Sequence, residues 1–471
     1  MRGNANGRTG DGELGTGPVD PAWLAATMAA LVGTHQVPGA QLAVHQGGVT
    51  VAVEIGELEY RAGFPITRET AFPTGSITKA WTATLAMILV ADGDLELDEP
   101  LDEHLPELDD LSGQLTVRQL LSHTSGFADV PEPSILSPRR YVREHCRRHD
   151  LVLAPDTGFT YSSRNYVLVG HLIETITGMS WWEAMESILL RPLGVDPAAV
   201  VGRAGRPPCV RPIATGHSVN TTLGRTRPVQ QSLALAEDPA GALAMSAVDL
   251  VALGLMHIGQ GFPELLPAAY AEQMRQAVPG ADPFGLADGW GAGLAVFSDG
   301  ATKWVGHDGT ANGTSCYLRI DPDSGCVVAL TTNASTGSRL WEELRTELRQ
   351  ANLPLGTPSP DLVARAWVAP PVECVGSYSN GPTEYLVTAA PDGDLCLSIG
   401  GELTARLAFY DDTDFVLQDP VSGQHMQVGR FRRDPITKQV EQLQLVGRIA
   451  RRGQPPTVPE ARSPFDSLRR V

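Results

Sequence analysis

The sequence predicts an α+β domain followed by a small antiparallel β-barrel. Strand-like segments lie at both ends of the first three-quarters of the chain, with a long helical middle between them. A stretch punctuated by Pro354, Pro358, Pro360, Pro370 and Pro371 then interrupts the pattern. Beyond it, only short alternating segments separated by turn residues occur, the spacing of a small barrel.

The elements follow in order. Residues 1–19, rich in Gly, Asn, Thr and Asp, read as a disordered tail. The first domain is expected over 20–352. Pro21 starts an amphipathic helix, and Gln41–His45 and Val49–Ile55 alternate as a hairpin around Gly47-Gly48. Helical patterns follow at Trp81–Val90, Leu120-Leu121, Tyr166–Thr177, Trp181–Leu190 and Val248–Met256. Strand patterns return at Gly291–Phe297, Thr314–Ile320 and Val327–Thr332, and Leu340–Gln350 closes as a helix. A sheet built from chain-distant segments is therefore expected. After a linker at 353–370, the barrel is placed at 371–452, on strands Tyr385–Ala389, Leu395–Ile399, Phe415–Leu417, Met426–Phe431 and Gln442–Val446. A polar tail at 453–471 ends the chain.

A length of 471 residues exceeds one ordinary domain, and 42% hydrophobic with 19% charged residues describes a folded chain with a large core. The net charge of −18 argues against nucleic acid and against an anionic membrane surface as partners. Met1–Gly7 lacks the apolar segment of a signal peptide, and no run of about 18 apolar residues occurs, so a cytoplasmic protein is expected. Cys146, Cys209, Cys316, Cys326, Cys374 and Cys396 are scattered without zinc-site spacing and read as free thiols. Cys316 and Cys326 could still face each other across a strand pair. No metal or cofactor is implied.

Ser76-Ile77-Thr78-Lys79 stands between Phe72-Pro73-Thr74-Gly75 and the apolar run Trp81–Val90. The spacing puts a hydroxyl at a helix start and an amine one turn on, along the same face. Free backbone N–H groups at such a start can receive an oxyanion. Lys79, Lys303 and Lys438 are the chain's only lysines, and Lys79 lies in a run that reads as buried. Burial disfavours an ammonium, which suits a base. Nucleophile, base and part of an oxyanion hole can thus come from one segment, as serine acyl transfer requires.

Tyr161-Ser162-Ser163 precedes another apolar helix, and Leu115–Phe127 carries the longer string Leu-Thr-Val-Arg-Gln-Leu-Leu-Ser-His-Thr-Ser-Gly-Phe. With these the sequence resembles the serine β-lactamase-related family: class C β-lactamases, esterases of that fold and D-aminopeptidases. Gly170–Gly178, Pro192-Leu193-Gly194, Ala240-Gly241-Ala242-Leu243 and Gly306-His307-Asp308-Gly309 extend the match in the family's order over 20–352. The resemblance implies a β-lactamase/transpeptidase-like catalytic domain with a lipocalin-like barrel behind it. It assigns Ser76 as nucleophile, Lys79 as its base and Tyr161 as the proton shuttle. It implies an oxyanion hole from the backbone N–H groups of Ser76 and Thr310, and substrate contacts at Ser163, His307, Asp308 and Gly309.

Departures from the family pattern shape the expected reaction. Ser163 stands where Asn is usual, His307 replaces a frequent lysine, and Asp308 replaces a common Thr. A carboxylate-bearing β-lactam should meet less attraction at such an edge strand. The expectation is a serine hydrolase or acyltransferase, not a true β-lactamase, acting on an ester, thioester or amide. Its partners are a small-molecule or peptide acyl donor and, where aminolysis replaces hydrolysis, an amine acceptor. The family likeness also includes intracellular transacylases and penicillin-binding-protein-type thioesterases of peptide antibiotic assembly. A catalytically inactive ligand-binding sensor is the alternative from another class. His123 reads as structural. The cluster Arg139, Arg140, Arg143, Arg147 and Arg148 reads as a solvated helix face, or else as a positive rim for an anionic substrate.

Overall fold

A computed structural model describes residues 19–129, 136–203, 209–300, 302–356, 367–411, 413–420 and 423–453. Most of the expected tails (1–18 and 454–471) and the centre of the expected linker (357–366) lie outside the described residues. No helix among the described residues is long and apolar enough to cross a membrane.

The first domain is built on a seven-stranded antiparallel sheet. Its order is Val49–Gly56, Gly39–Gln46, Cys326–Thr332, Thr314–Asp321, Thr302–Ala311, Ala295–Asp299 and Gly289–Trp290. The N-terminal hairpin thus joins the late strands, with Leu42 opposite Leu330 and Val44 opposite Val328. Period-two alternation divides the apolar side chains between two layers. Ala43, Cys316, Leu318, Ile320 and Ala329 pack against the large helical region. Leu42, Val44, Tyr317, Val328 and Leu330 pack under the terminal helices Pro21–Thr34 and Gly337–Gln350. The first of these helices starts with Pro21 in its opening turn and an Asp20 cap, whose carboxylate accepts from the Ala22 N–H at 3.0 Å.

Two expectations are corrected. Gly291–Phe297 is not one strand, because a turn closed by the Gly291 N–H on the Leu294 carbonyl (2.8 Å) splits it. Cys316 and Cys326 do not face each other: Cys316 lies opposite Thr331 and Cys326 opposite Asp321, in different core layers. All six cysteines are free thiols.

The C-terminal unit is a closed eight-stranded antiparallel barrel, from Gly376–Asn380 to Arg448–Arg452, and its first and last strands pair at Tyr378 and Arg452. The sequence pattern showed five of these strands. Gly376–Asn380, Glu402–Phe409 and Arg448–Arg452 escaped it, because Gly, Ser, Thr and Arg blur their alternation and barrel closure holds them in place. Tyr378, Leu397, Phe409, Phe415, Phe431 and Leu443 fill the interior, with Phe409 and Phe431 stacked.

Candidate active site

Ser76 precedes the helix Ile77–Asp92, which is buried from Ile77 through Leu89. A helix apolar on all sides must be enclosed, and polar anchors fix its start. The Thr74 hydroxyl donates to the Leu243 carbonyl (2.7 Å), and the Thr82 hydroxyl to that of Pro239 (2.7 Å). The Leu243 N–H donates to the Thr78 hydroxyl (3.1 Å). Lys79 is 1% exposed. Its Nζ donates to Ser76 Oγ at 3.2 Å and to the Ala240 carbonyl at 3.2 Å. Hydroxyl and amine therefore meet as their three-residue spacing on a helix requires, and the 239–243 segment holds them there.

The Thr302–Ala311 strand supplies the opposite wall. Its pairing with Ala295–Asp299 ends at Gly306 opposite Ala295, so His307 onward has no strand partner on that side among the described residues. Its backbone there presses on the Ser76 turn. A Cβ on Gly75 would fall 2.0 Å from the Thr310 carbonyl oxygen, and one on Gly309 2.0 Å from that of Thr74. Gly75 also has φ +50°, so glycine is required at 75 on both counts. The Thr310 amide nitrogen lies 3.0 Å from that same Gly75 Cβ position.

His307 and Asp308 point to opposite faces of this strand. The His307 ring is 2% exposed, and its Nδ1 lies 2.6 Å from the Asp308 carbonyl oxygen, which only accepts. Nδ1 therefore carries the proton, and Nε2 is a buried acceptor with no partner among the described residues. Burial, then the nearby Lys79 charge, pushes the His307 pKa down to about 4, so the ring is neutral at pH 7. Asp308 departs from the expected placement. Its carboxylate is forked by the fully buried Arg319 (Nη2 to Oδ2, 3.2 Å), which itself lies 3.6 Å from the Phe297 ring centre. The negative charge expected to face a substrate is thus neutralised on the other side of the sheet.

Tyr161 closes the third side. Lys79 Nζ lies 5.1 Å from its ring centre, and Trp290 meets both the Tyr161 and the His307 rings edge-on. His123 lies 4.3 Å from the Tyr161 ring. Its Nδ1 accepts from the Ser162 N–H (3.2 Å) and faces the Asn165 amide (3.1 Å). Burial above all holds the His123 pKa well below its ordinary value. The ring is a neutral buttress, in agreement with its structural reading. Ser163 begins the helix Ser163–Thr177, where its N–H donates to Asp129 (2.9 Å).

Comparison with known proteins identifies this arrangement. The Beta-lactamase family model matches residues 24–353. The chain belongs to the β-lactamase family. Penicillin-binding protein 4 of Amycolatopsis lactamdurans is 33% identical over 349 residues, 70% of this chain and 90% of that protein. Esterase EstB of Burkholderia gladioli is 30% identical, over 61% of this chain and 86% of its own. The crystal structure of SurE superposes with a TM-score of 0.81 at 40% identity, covering 92% of this chain and 99% of SurE, so the likeness extends through the barrel. The chain is accordingly a serine enzyme of the β-lactamase superfamily.

The barrel reaches this β-lactamase-family site. The Tyr161 N–H donates to the Gly447 carbonyl (2.9 Å), and the Ile449 N–H to the Thr160 hydroxyl (3.3 Å). Arg448 places Nε and Nη2 at 3.0 and 2.7 Å from one Asp129 oxygen, with its guanidinium 5.2 Å from the Tyr161 ring centre. The Asp129 N–H donates to Asn380 (2.9 Å). Sequence reading missed Asp129, Asn380 and Arg448. No local signal marks them, because Arg448 and Asp129 are 319 residues apart. With Ser163, Glu237, Thr383 and Tyr385, these residues line a cavity of about 250 Å³. The arginines at 139, 140, 143 and 147 instead form ion pairs with Glu107, Asp109 and Glu144, as a solvated helix face does.

Proposed function

We propose that this enzyme forms an acyl-Ser76 intermediate from an ester, thioester or amide and passes the acyl group to water or an amine. The contact between Lys79 Nζ and Ser76 Oγ in a buried site carries the reading. Lys79 takes the hydroxyl proton as Oγ attacks the acyl carbon. The Ser76 and Thr310 N–H groups receive the oxyanion, and the Tyr161 hydroxyl protonates the leaving group. The same relay then runs in reverse to activate the acceptor. The reading takes a small molecule or peptide as donor, needs no cofactor, and sets the enzyme in the cytoplasm. The structure of SurE with D-Leu, at 39% identity, supports a D-amino acid as the residue attached to Ser76. Aminolysis, the branch of peptide antibiotic transacylases, is supported as a second reading by the cavity lined by Ser163 and by Arg448, whose guanidinium lies over the Tyr161 ring.

Mass spectrometry of protein treated with a fluorophosphonate, and of protein trapped during ester turnover, tests the reading. An adduct on Ser76 is expected, whereas an inactive sensor would remain unlabelled. Matched D- and L-leucyl thioesters test the stereochemical part, with faster acylation expected from the D form.

Short p-nitrophenyl esters are expected to turn over, and nitrocefin and penicillins to be poor substrates. The neutral His307 motivates this, because it offers no fixed cation to a substrate carboxylate. Asp308 adds no repulsion, since Arg319 holds its charge. Equal rates on β-lactams and esters would contradict the argument.

A further inference from the structure

We infer that Arg203 is a positioning residue of this site: its guanidinium clamps the 233–238 segment and so holds the Ala240 carbonyl against Lys79, the base that serves Ser76. This rests on the acyl-Ser76 reading and adds the group that keeps its base in place. Three distances lead from Arg203 to the nucleophile. Arg203 Nη2 donates to the Asp238 carboxylate at 2.9 Å. Asp238 opens the short turn Asp238–Gly241, in which the Ala240 carbonyl accepts from Lys79 Nζ at 3.2 Å. Nζ in turn donates to Ser76 Oγ at 3.2 Å.

The stretch that enters this turn has little structure of its own. Between the strand Arg225–Val229 and Asp238 the chain makes one 3-10 turn, Leu235–Glu237. Such a stretch takes its place from tertiary contacts, because its backbone groups still need partners. Its first residues are tied to the oxyanion strand: Asn312, two residues beyond Thr310, donates through Nδ2 to the Gln230 carbonyl (2.9 Å). After the turn, main-chain bonds take over. The Val200 N–H donates to the Ala242 carbonyl (2.8 Å), and the Ala244 N–H to that of Ala198 (2.8 Å).

Arg203 is the tie between these two ends. The Nη2 that meets Asp238 also lies 2.9 Å from the Leu233 carbonyl oxygen and 3.1 Å from that of Ala234. Two hydrogens on one nitrogen thus serve three oxygens, on both sides of the 3-10 turn. The ion pair is well enclosed, with the Arg203 and Asp238 side chains 20% and 8% exposed, so water screens it little. A base must stay within hydrogen-bond reach of the proton it takes, and a misplacement of about 1 Å arising far from the chemistry can cost about a hundredfold in rate. A clamp on the backbone that carries the Ala240 carbonyl therefore bears on rate as well as on stability.

The experiment is a cycle that combines Arg203→Met, which keeps the apolar stem and removes the donors, with Lys79→Ala. The rate of Ser76 labelling by a fluorophosphonate and the turnover of p-nitrophenyl butyrate are measured in all four proteins and expressed per labelled serine. With Lys79 present, Arg203→Met should lower kcat and the labelling rate by about ten- to a hundredfold, with KM little changed. In the Lys79→Ala background it should change the labelling rate by less than about twofold, because a residue acting through the base has nothing left to position. Arg203→Lys should recover part of the loss, since an ammonium also offers donors to these oxygens. An equal loss in both backgrounds, or an unchanged kcat per labelled serine in Arg203→Met, overturns the inference and leaves an ion pair that only stabilises the fold. Should Arg203→Met fail to fold, Asp238→Asn, which weakens the same clamp while keeping its shape, takes its place in the cycle under the same criteria. Absence of any Ser76 adduct in the unmodified protein would instead remove the acyl-enzyme reading beneath it.

Discussion

Ser76→Ala should lower kcat on p-nitrophenyl butyrate by about 10⁴- to 10⁶-fold, the scale on which a nucleophile acting within a catalytic unit is lost. The protein should stay folded, because Lys79 is the one hydrogen-bond partner of Ser76 Oγ among the described residues, while Thr74, Thr78 and Thr82 anchor the helix independently. Lys79→Ala should cost nearly as much in rate. It should also reduce stability somewhat, since it opens a cavity in a buried helix and leaves the Ala240 carbonyl without that donor. Steady-state kinetics beside thermal unfolding separates the two effects. Full activity in purified Ser76→Ala protein would end the mechanism.

Arg448→Met should impair the enzyme although it alters the barrel, not the β-lactamase-family domain. Loss of the guanidinium leaves Asp129 without its cation and removes a contact with the Tyr161 ring. The expected cost is about 2–3 kcal/mol of stability, below the range for fully buried pairs because the Arg448 side chain is 35% exposed. Activity on a small ester should also fall, since the Val446–Ile449 segment holds the Tyr161 backbone. A barrel that only shaped access for large substrates would leave the small ester untouched. The double variant Asp129→Asn, Arg448→Met should recover part of the stability but not the rate.

The pH dependence of this pair has a definite sign. Burial works to raise the Asp129 carboxyl, but Arg448 and the Ser163 N–H prevail and hold it below its ordinary value of 3.8. A depressed folded-state pKa contributes stability that is present above the unfolded value and lost as pH falls through the folded one. The difference in unfolding free energy between the unmodified protein and Arg448→Met should therefore be full while Asp129 is ionised in both. It should begin to shrink as pH falls through the variant's Asp129 pKa, which burial raises once the arginine is gone, and stop shrinking below the depressed value of the unmodified protein. A difference that grows in acid would contradict the assignment.

Local pattern determined much of this protein. The Ser76–Lys79 spacing on one helix, the glycines beside it and the alternation of the N-terminal hairpin are short-range features, and short-range sterics and periodicity fix them. The family strings placed Tyr161 and the His307 strand in the same neighbourhood. Alternation along Thr302–Ala311 would even have told that His307 and Asp308 face opposite ways. What it could not tell is that Arg319, on the adjoining strand, waits there to neutralise Asp308. Only tertiary structure decided which cations meet which carboxylates: Arg319 with Asp308, and Arg448 with Asp129. Such pairings join residues up to 319 positions apart, where no periodicity connects the partners. They exist because closing the sheet and docking the barrel bring those side chains into low-dielectric space, where each charge must find a partner.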